Sequence, residues 1–381
     1  MSDADDLLNY NLGLTNEDRD LNGLQLLTKY GFPYEVYTVE TIDGYLLEVV
    51  RIPGNGSVVL IVHGLFSSWE DFITSGPNFG LPYLLARRGF DVWLLNCRGN
   101  KFSRNHVTLS PDEQAFWDFS YHEIGTRDIP ATVKKILSIT GKKKIIYIGH
   151  SQGTTAGFVW LSEYPEYNSV VTVMICLAPV GYISNAKSPV LLALTPFRNY
   201  EYFIFNTLGH GELLPRDGFA KIANKLVCST TVTADFICSN VFFVLFGFDY
   251  AEMNFTNFLV EYAHTPSGAS IKQVIHYLQE VASGKFRQFD YGKNKNMKFY
   301  KSKEPPNYNI SNIIAPVALY YSKNDWLADT TDVERLSEEI PNLIEMYLVP
   351  FDKFNHLDFL WAKDVIPLLY DRLFELIREY T

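Results

Sequence analysis

Residues 145 to 158 read IIYIGHSQGTTAGF, a β-favouring run that ends in Gly-His-Ser-Gln-Gly and continues in small residues. Ile145, Ile146, Tyr147 and Ile148 have the composition of a buried strand, and Thr154, Ala156, Gly157 and the apolar residues after them suit a helix packed closely on it. Ser151 then falls on the turn between the two. The backbone there has to be strained, and Gly149 and Gly153 remove the Cβ atoms that would collide with it. Such a turn is expected to hold the serine hydroxyl exposed above the sheet edge.

The flanking sequence repeats the strand-then-helix rhythm. Residues 36 to 41 and 46 to 52 read as a hairpin around Asp43-Gly44, a strong turn signal. Short buried strands follow at 58 to 63, 90 to 96, 145 to 149 and 170 to 178, alternating with helical stretches such as 81 to 88 and 127 to 139. The pattern predicts an α/β fold, a mostly parallel central sheet with helices on both faces. It returns with strands at 316 to 322 and 344 to 349 and a closing amphipathic helix over 363 to 379. Between about 184 and 308 the rhythm is lost and aromatic residues crowd 236 to 258, which reads as an inserted, mainly helical cap. The predicted organisation is a core over 1–183, a cap or lid over 184–308, and the second part of the core over 309–381. A chain of 381 residues is long enough for one such domain with an insertion.

A serine hydroxyl is a poor nucleophile unless a base stands within hydrogen-bond reach and a carboxylate orients that base. In an open α/β sheet these partners come from loops at the carboxyl ends of later strands. Asp325 lies just beyond the strand VALYYS, and His356 follows IEMYLV on the loop before the last helix. The order Ser151, Asp325, His356 is that of nucleophile, acid and base in α/β-hydrolases. Asp329 and Asp332 compete for the acid role but fall where the next helix begins, and Asp358 stands too near His356 in the chain. Acyl transfer also needs donors for the developing oxyanion. The backbone N–H of Gln152 supplies one, and the N–H of Leu65, in the His63-Gly64-Leu65 turn after the strand VVLIV, is the candidate for the second. His63 itself is expected to prop that loop.

Composition narrows the partners. A net charge of −10 and a pI near 5.3, with one basic triplet at Lys142 to Lys144, argue against nucleic acid. No apolar stretch approaches the ~18 residues of a transmembrane helix. Neither a phosphate-binding loop nor a metal-ligand spacing is present, so no cofactor and no metal are expected. The opening MSDADDLLNY lacks the basic and apolar regions of a signal peptide, which fits either a cytosolic product or a chain without its leader. Two features favour the second. Asn55-Gly-Ser57, Asn254-Phe-Thr256 and Asn309-Ile-Ser311 are glycosylation acceptor patterns. Cys228 and Cys238 either close a small disulfide, contributing about 3 kcal/mol, or stay as two buried thiols. Cys97 and Cys176 read as core thiols.

Several segments together resemble the acid lipase family, which includes gastric and lysosomal acid lipases and insect relatives: VHGLFSS (62 to 68), DVWLLNCRGNKFSRNH (91 to 106), FWDFSYHEIGTRDIPA (116 to 131), GHSQGTT (149 to 155), KNDWLADTTDV (323 to 333) and PFDKFNHLDFLWAKD (350 to 364). The similarity runs through nearly the whole chain. It implies an α/β-hydrolase that cleaves lipid esters at a lipid–water interface, with Ser151, Asp325 and His356 as the triad and Leu65 and Gln152 as oxyanion donors. It also implies a movable lid, a cap disulfide matching Cys228 and Cys238, and a secreted or lysosomal glycoprotein. Family members divide between triacylglycerols and cholesteryl esters, and no residue here chooses between them. Two other readings stand beside this one: a carboxylesterase for smaller esters, which would not need so large an apolar cap, and a noncatalytic lipid-binding protein, which would be expected to lack a triad residue.

Overall fold

The computed structural model describes residues 16–198, 210–214 and 243–381. Among these, one nine-stranded sheet forms the core. Its strands are β1 (Glu35–Glu40), β2 (Tyr45–Ile52), β3 (Val58–Val62), β4 (Asp91–Leu95), β5 (Asn105–His106), β6 (Ile145–His150), β7 (Val171–Leu177), β10 (Val317–Tyr321) and β11 (Leu343–Leu348). A separate antiparallel pair, β8 (Glu212–Leu213) and β9 (Ala269–Ser270), lies in the 184–308 span. The main order is β1-β2-β4-β3-β6-β7-β10-β11, with β5 paired to β2. From β4 to β11 every neighbouring pair is parallel, and the β1/β2 hairpin joins antiparallel at one edge.

Burial explains why these residues form these strands. Every residue of β3, β4, β6 and β10 is buried, the mark of a parallel strand covered on both faces, whereas β1 at the edge is mostly exposed. Helices α1 (Gly23–Lys29), α2 (Leu81–Arg87), α3 (Ile129–Thr140) and α4 (Gln152–Glu163) belong to the first half of the chain. The 184–308 span contributes α5 (Pro189–Leu194), α6 (Phe255–His264), α7 (Ile271–Ser283) and α8 (Lys293–Phe299), and the chain closes with α9 (Thr330–Glu339) and α10 (Asp371–Tyr380). Helices α3 and α4 pack on each other, while α2 meets α10 through Arg88, whose guanidinium sits 3.7 Å from the Phe374 ring centroid. No helix of the described residues is long and apolar enough to cross a membrane.

The topology sets up the site. β3 and β6 are adjacent and parallel, so their carboxyl ends bring the His63–Leu65 turn beside Ser151. β10 and β11 are likewise adjacent, so the loops bearing Asp325 and His356 leave the sheet side by side. β7 lies between the two pairs.

Candidate active site

At Ser151 the backbone turns from β6 into α4 with φ 52 and ψ −120, an uncommon conformation for a residue with a side chain. Close packing holds it there. A methyl group on Gly153 would stand 2.2 Å from the Val62 carbonyl oxygen, and one on Gly149 would stand 2.7 Å from the Gly153 carbonyl carbon. The sequence expectation of an exposed hydroxyl is corrected here: Ser151 is only 9% exposed. The turn does lift the side chain off the sheet, but the His356 imidazole and the Gly64 loop lie against it, and a methyl on Gly64 would approach Ser151 Cβ to 3.1 Å.

Three residues from separate loops meet in a line. His356 Nε2 is 2.7 Å from Ser151 Oγ, and His356 Nδ1 is 2.7 Å from Asp325 Oδ2. The other Asp325 oxygen accepts the N–H groups of Leu327 and Ala328, each at 2.8 Å. An acceptor carboxylate places the imidazole proton on Nδ1 and leaves the Nε2 lone pair for the serine O–H. Asp325 and His356 are both almost fully buried.

The remaining sequence candidates sort by geometry. Gln152 occupies the first turn of α4, where backbone N–H groups lack intrahelical acceptors, and its side-chain oxygen accepts from Gln273 Nε2 at 3.1 Å. Leu65 is half-buried on the turn facing Ser151. Its neighbour His63 braces that turn, reaching the Gly64 oxygen through Nδ1 at 2.8 Å and taking the Cys97 N–H on Nε2 at 3.0 Å. Asp329 caps α9 and pairs with Lys187, and Asp332 holds Ser184 and Asn185, so neither faces the imidazole. Asp358 accepts the Asn355 N–H. Asn55 and Asn309 are exposed, whereas Asn254 is half-buried at the start of α6. Cys97 and Cys176 are buried free thiols; Cys228 and Cys238 lie outside the described residues. No group of three metal-ligating side chains occurs among the described residues.

Two residues at the site escaped sequence reasoning. His150 Nε2 lies 3.0 Å from the His356 carbonyl oxygen, joining the serine turn to the histidine loop, and burial pushes its pKa down to about 3, so the ring is neutral. Its place beside the nucleophile was visible in the sequence, but its partner was not. Phe246 sets its ring against the His356 imidazole, with centroids 5.7 Å apart. A phenylalanine in an aromatic-rich stretch gives no signal of that contact.

Several carboxyls are buried in the fold, Asp358 beside the His356 loop and the others elsewhere, and their effect on stability has a definite sign. Burial raises the carboxyl pKa of Glu48 to about 7 and lifts those of Asp358, Glu261 and Glu280 well above the ordinary value. Raised carboxyls keep protons that the unfolded chain releases, so their stabilisation is complete below about pH 4 and fades as pH rises through the folded values. Buried His63 and His150, depressed to about 4 and about 3, act oppositely, but only up to the unfolded histidine value of about 6.5. Above that the raised carboxyls dominate, and near pH 8.5 the buried Cys97 and Cys176 thiols, pushed up by burial, act in the same direction. The melting temperature is therefore expected to fall between pH 6.5 and 8.5. Glu280→Gln, which keeps the acceptor for the Tyr121 hydroxyl, should shrink that fall. A melting temperature that rises over this range would contradict the assignment.

Comparison with known proteins places the chain. Residues 57–218 match the alpha/beta hydrolase fold family model, and residues 24–76 match that of the partial alpha/beta-hydrolase lipase region. The chain is 41% identical to lipase 1 of Drosophila melanogaster, over 95% of this chain and 80% of that protein. It is 36% identical to lysosomal acid lipase/cholesteryl ester hydrolase of Homo sapiens and 38% identical to gastric triacylglycerol lipase of Rattus norvegicus, in both cases over 97% of this chain and 94% of the relative.

Proposed function

The chain belongs to the acid lipase family of α/β-hydrolases, and from that premise we propose that it is a lipase cleaving carboxylic esters of lipids with Ser151 as nucleophile. The observation that carries the mechanism is the pair of 2.7 Å contacts linking Ser151, His356 and Asp325. His356 Nε2 takes the hydroxyl proton as Ser151 Oγ attacks the ester carbonyl, and Asp325 stabilises the imidazolium. The N–H groups of Leu65 and Gln152 receive the oxyanion, a contribution of roughly 3 to 4 kcal/mol per donor in comparable sites. Collapse returns the proton from His356 to the departing alcohol and leaves the fatty acyl group on Ser151. Water then attacks this ester, again through His356, and releases the acid.

The 184–308 span is read as the cap that covers the acyl chain. The relatives named above support triacylglycerols, cholesteryl esters or both as substrates, and a secretory or lysosomal setting. In that setting Asn55 and Asn309 are the better-exposed glycan acceptors, with Asn254 more enclosed, and the resemblance to acid lipases is what supports a disulfide between Cys228 and Cys238.

Fatty-acid release from emulsified long-chain triacylglycerol, cholesteryl oleate and a soluble butyrate ester, at acidic and neutral pH, tests this reading. Hydrolysis of at least one long-chain substrate is expected. Cleavage of butyrate alone would make the protein a small-ester carboxylesterase, and no cleavage by folded protein would favour lipid binding without catalysis.

A further inference from the structure

Three consecutive carbonyl groups, those of Phe246, Gly247 and Phe248, accept hydrogen bonds from the two loops that carry Asp325 and His356. The Phe246 oxygen accepts the backbone N–H of Trp326 at 3.3 Å and that of His356 at 3.4 Å. The Gly247 oxygen accepts Asn355 Nδ2 at 3.1 Å, and the Phe248 oxygen accepts Asn324 Nδ2 at 3.0 Å. These donors are the residues on either side of Asp325, His356 itself and the residue before it. The Asn324 amide also reaches the Lys353 oxygen at 2.7 Å, so the acid and base loops are tied to each other as well as to the same tripeptide.

Side chains reinforce the backbone contacts. The Phe246 ring lies nearly parallel to the His356 imidazole, with 10° between the planes, and the Phe248 ring meets Trp326 edge-on at 5.5 Å. Gly247 has φ 115, and a methyl group there would stand 2.2 Å from the Asn324 oxygen. Only glycine allows so close an approach.

We propose that Phe246–Phe248 is a positioning clasp that fixes the mutual geometry of Asp325 and His356, so that the cap span sets the rate of turnover as well as substrate admission. The proposal rests on the Ser151–His356–Asp325 reading. Both catalytic loops leave the ends of β10 and β11 and would otherwise hold their relative position through loop contacts alone. A displacement of about 1 Å between reacting groups can cost about 10²-fold in rate, which gives the clasp its leverage.

Phe246→Ala, Phe246→Tyr and Gly247→Ala are compared with the unaltered protein on soluble p-nitrophenyl butyrate and in the rate of inactivation by diethyl p-nitrophenyl phosphate. Both probes are small and draw little on a long acyl site. In Phe246→Ala and Gly247→Ala, kcat and the inactivation rate are expected to fall together by roughly 10- to 100-fold, with KM within about twofold. Phe246→Tyr, which keeps a ring against the imidazole, should recover most of the loss at an unchanged melting temperature. The Phe246 pair decides the matter should Gly247→Ala fail to fold. Unaltered kinetics in Phe246→Ala, a rise in KM at constant kcat, or a loss that Phe246→Tyr does not recover would each overturn the clasp. Resistance of the unaltered protein to the phosphate ester would instead overturn the Ser151 reading.

Discussion

Ser151→Ala is expected to lower ester hydrolysis by roughly 10⁴-fold or more while the melting temperature stays within a few degrees. Only the Oγ atom is removed. Ser151 makes its backbone contacts through main-chain groups, its N–H donating to the Leu177 oxygen and its carbonyl accepting from Thr154, so the strained turn keeps its supports. The residual rate would come from the oxyanion donors and substrate binding, which do not need the nucleophile. Initial rates on a soluble ester and on an emulsified one, with a melting curve for each protein, check this. A rate within tenfold of the unaltered protein would remove Ser151 from the mechanism.

Asp325→Asn is expected to cost on the order of 10⁴-fold in kcat with little change in fold, and the reason is a proton on the wrong nitrogen. Two backbone donors, Leu327 N–H and Ala328 N–H, converge on Asp325 Oδ1. An asparagine would keep its carbonyl oxygen on those donors and turn its NH₂ toward His356 Nδ1. The imidazole must then accept there and carry its proton on Nε2, where it can no longer take one from the Ser151 hydroxyl. Asp329 and Asp332 cannot substitute, because Lys187 and the Ser184–Asn185 turn already hold them. The measurement is kcat for Asp325→Asn beside Asp329→Asn and Asp332→Asn. Comparable losses at all three positions would mean that the acid had been misassigned.

Much of this arrangement was legible because it is encoded locally. The β6 run, the flanking glycines and the small residues of α4 specify a turn whatever the rest of the chain does, and the run VALYYS places Asp325 just past a strand end. The burial of Ser151 was not legible, since it arises from Gly64 and His356, which are brought over the serine by strands distant in sequence. The β8/β9 pairing escaped notice for a similar reason: two-residue strands carry no periodicity, and their partners lie far apart in the chain. Phe246 and His150 show the same divide, because a residue type can mark a site while its contacts depend on tertiary placement. The proposed disulfide partners Cys228 and Cys238 lie outside the described residues.

The most direct test of Ser151 as nucleophile is its covalent capture. Protein treated with diethyl p-nitrophenyl phosphate is digested, and its peptides are mapped by mass spectrometry alongside the loss of esterase activity. One diethylphosphoryl group per chain on Ser151, accumulating in step with inactivation, is the predicted result. An adduct on another residue that tracks inactivation, or activity that survives full modification of Ser151, would contradict it.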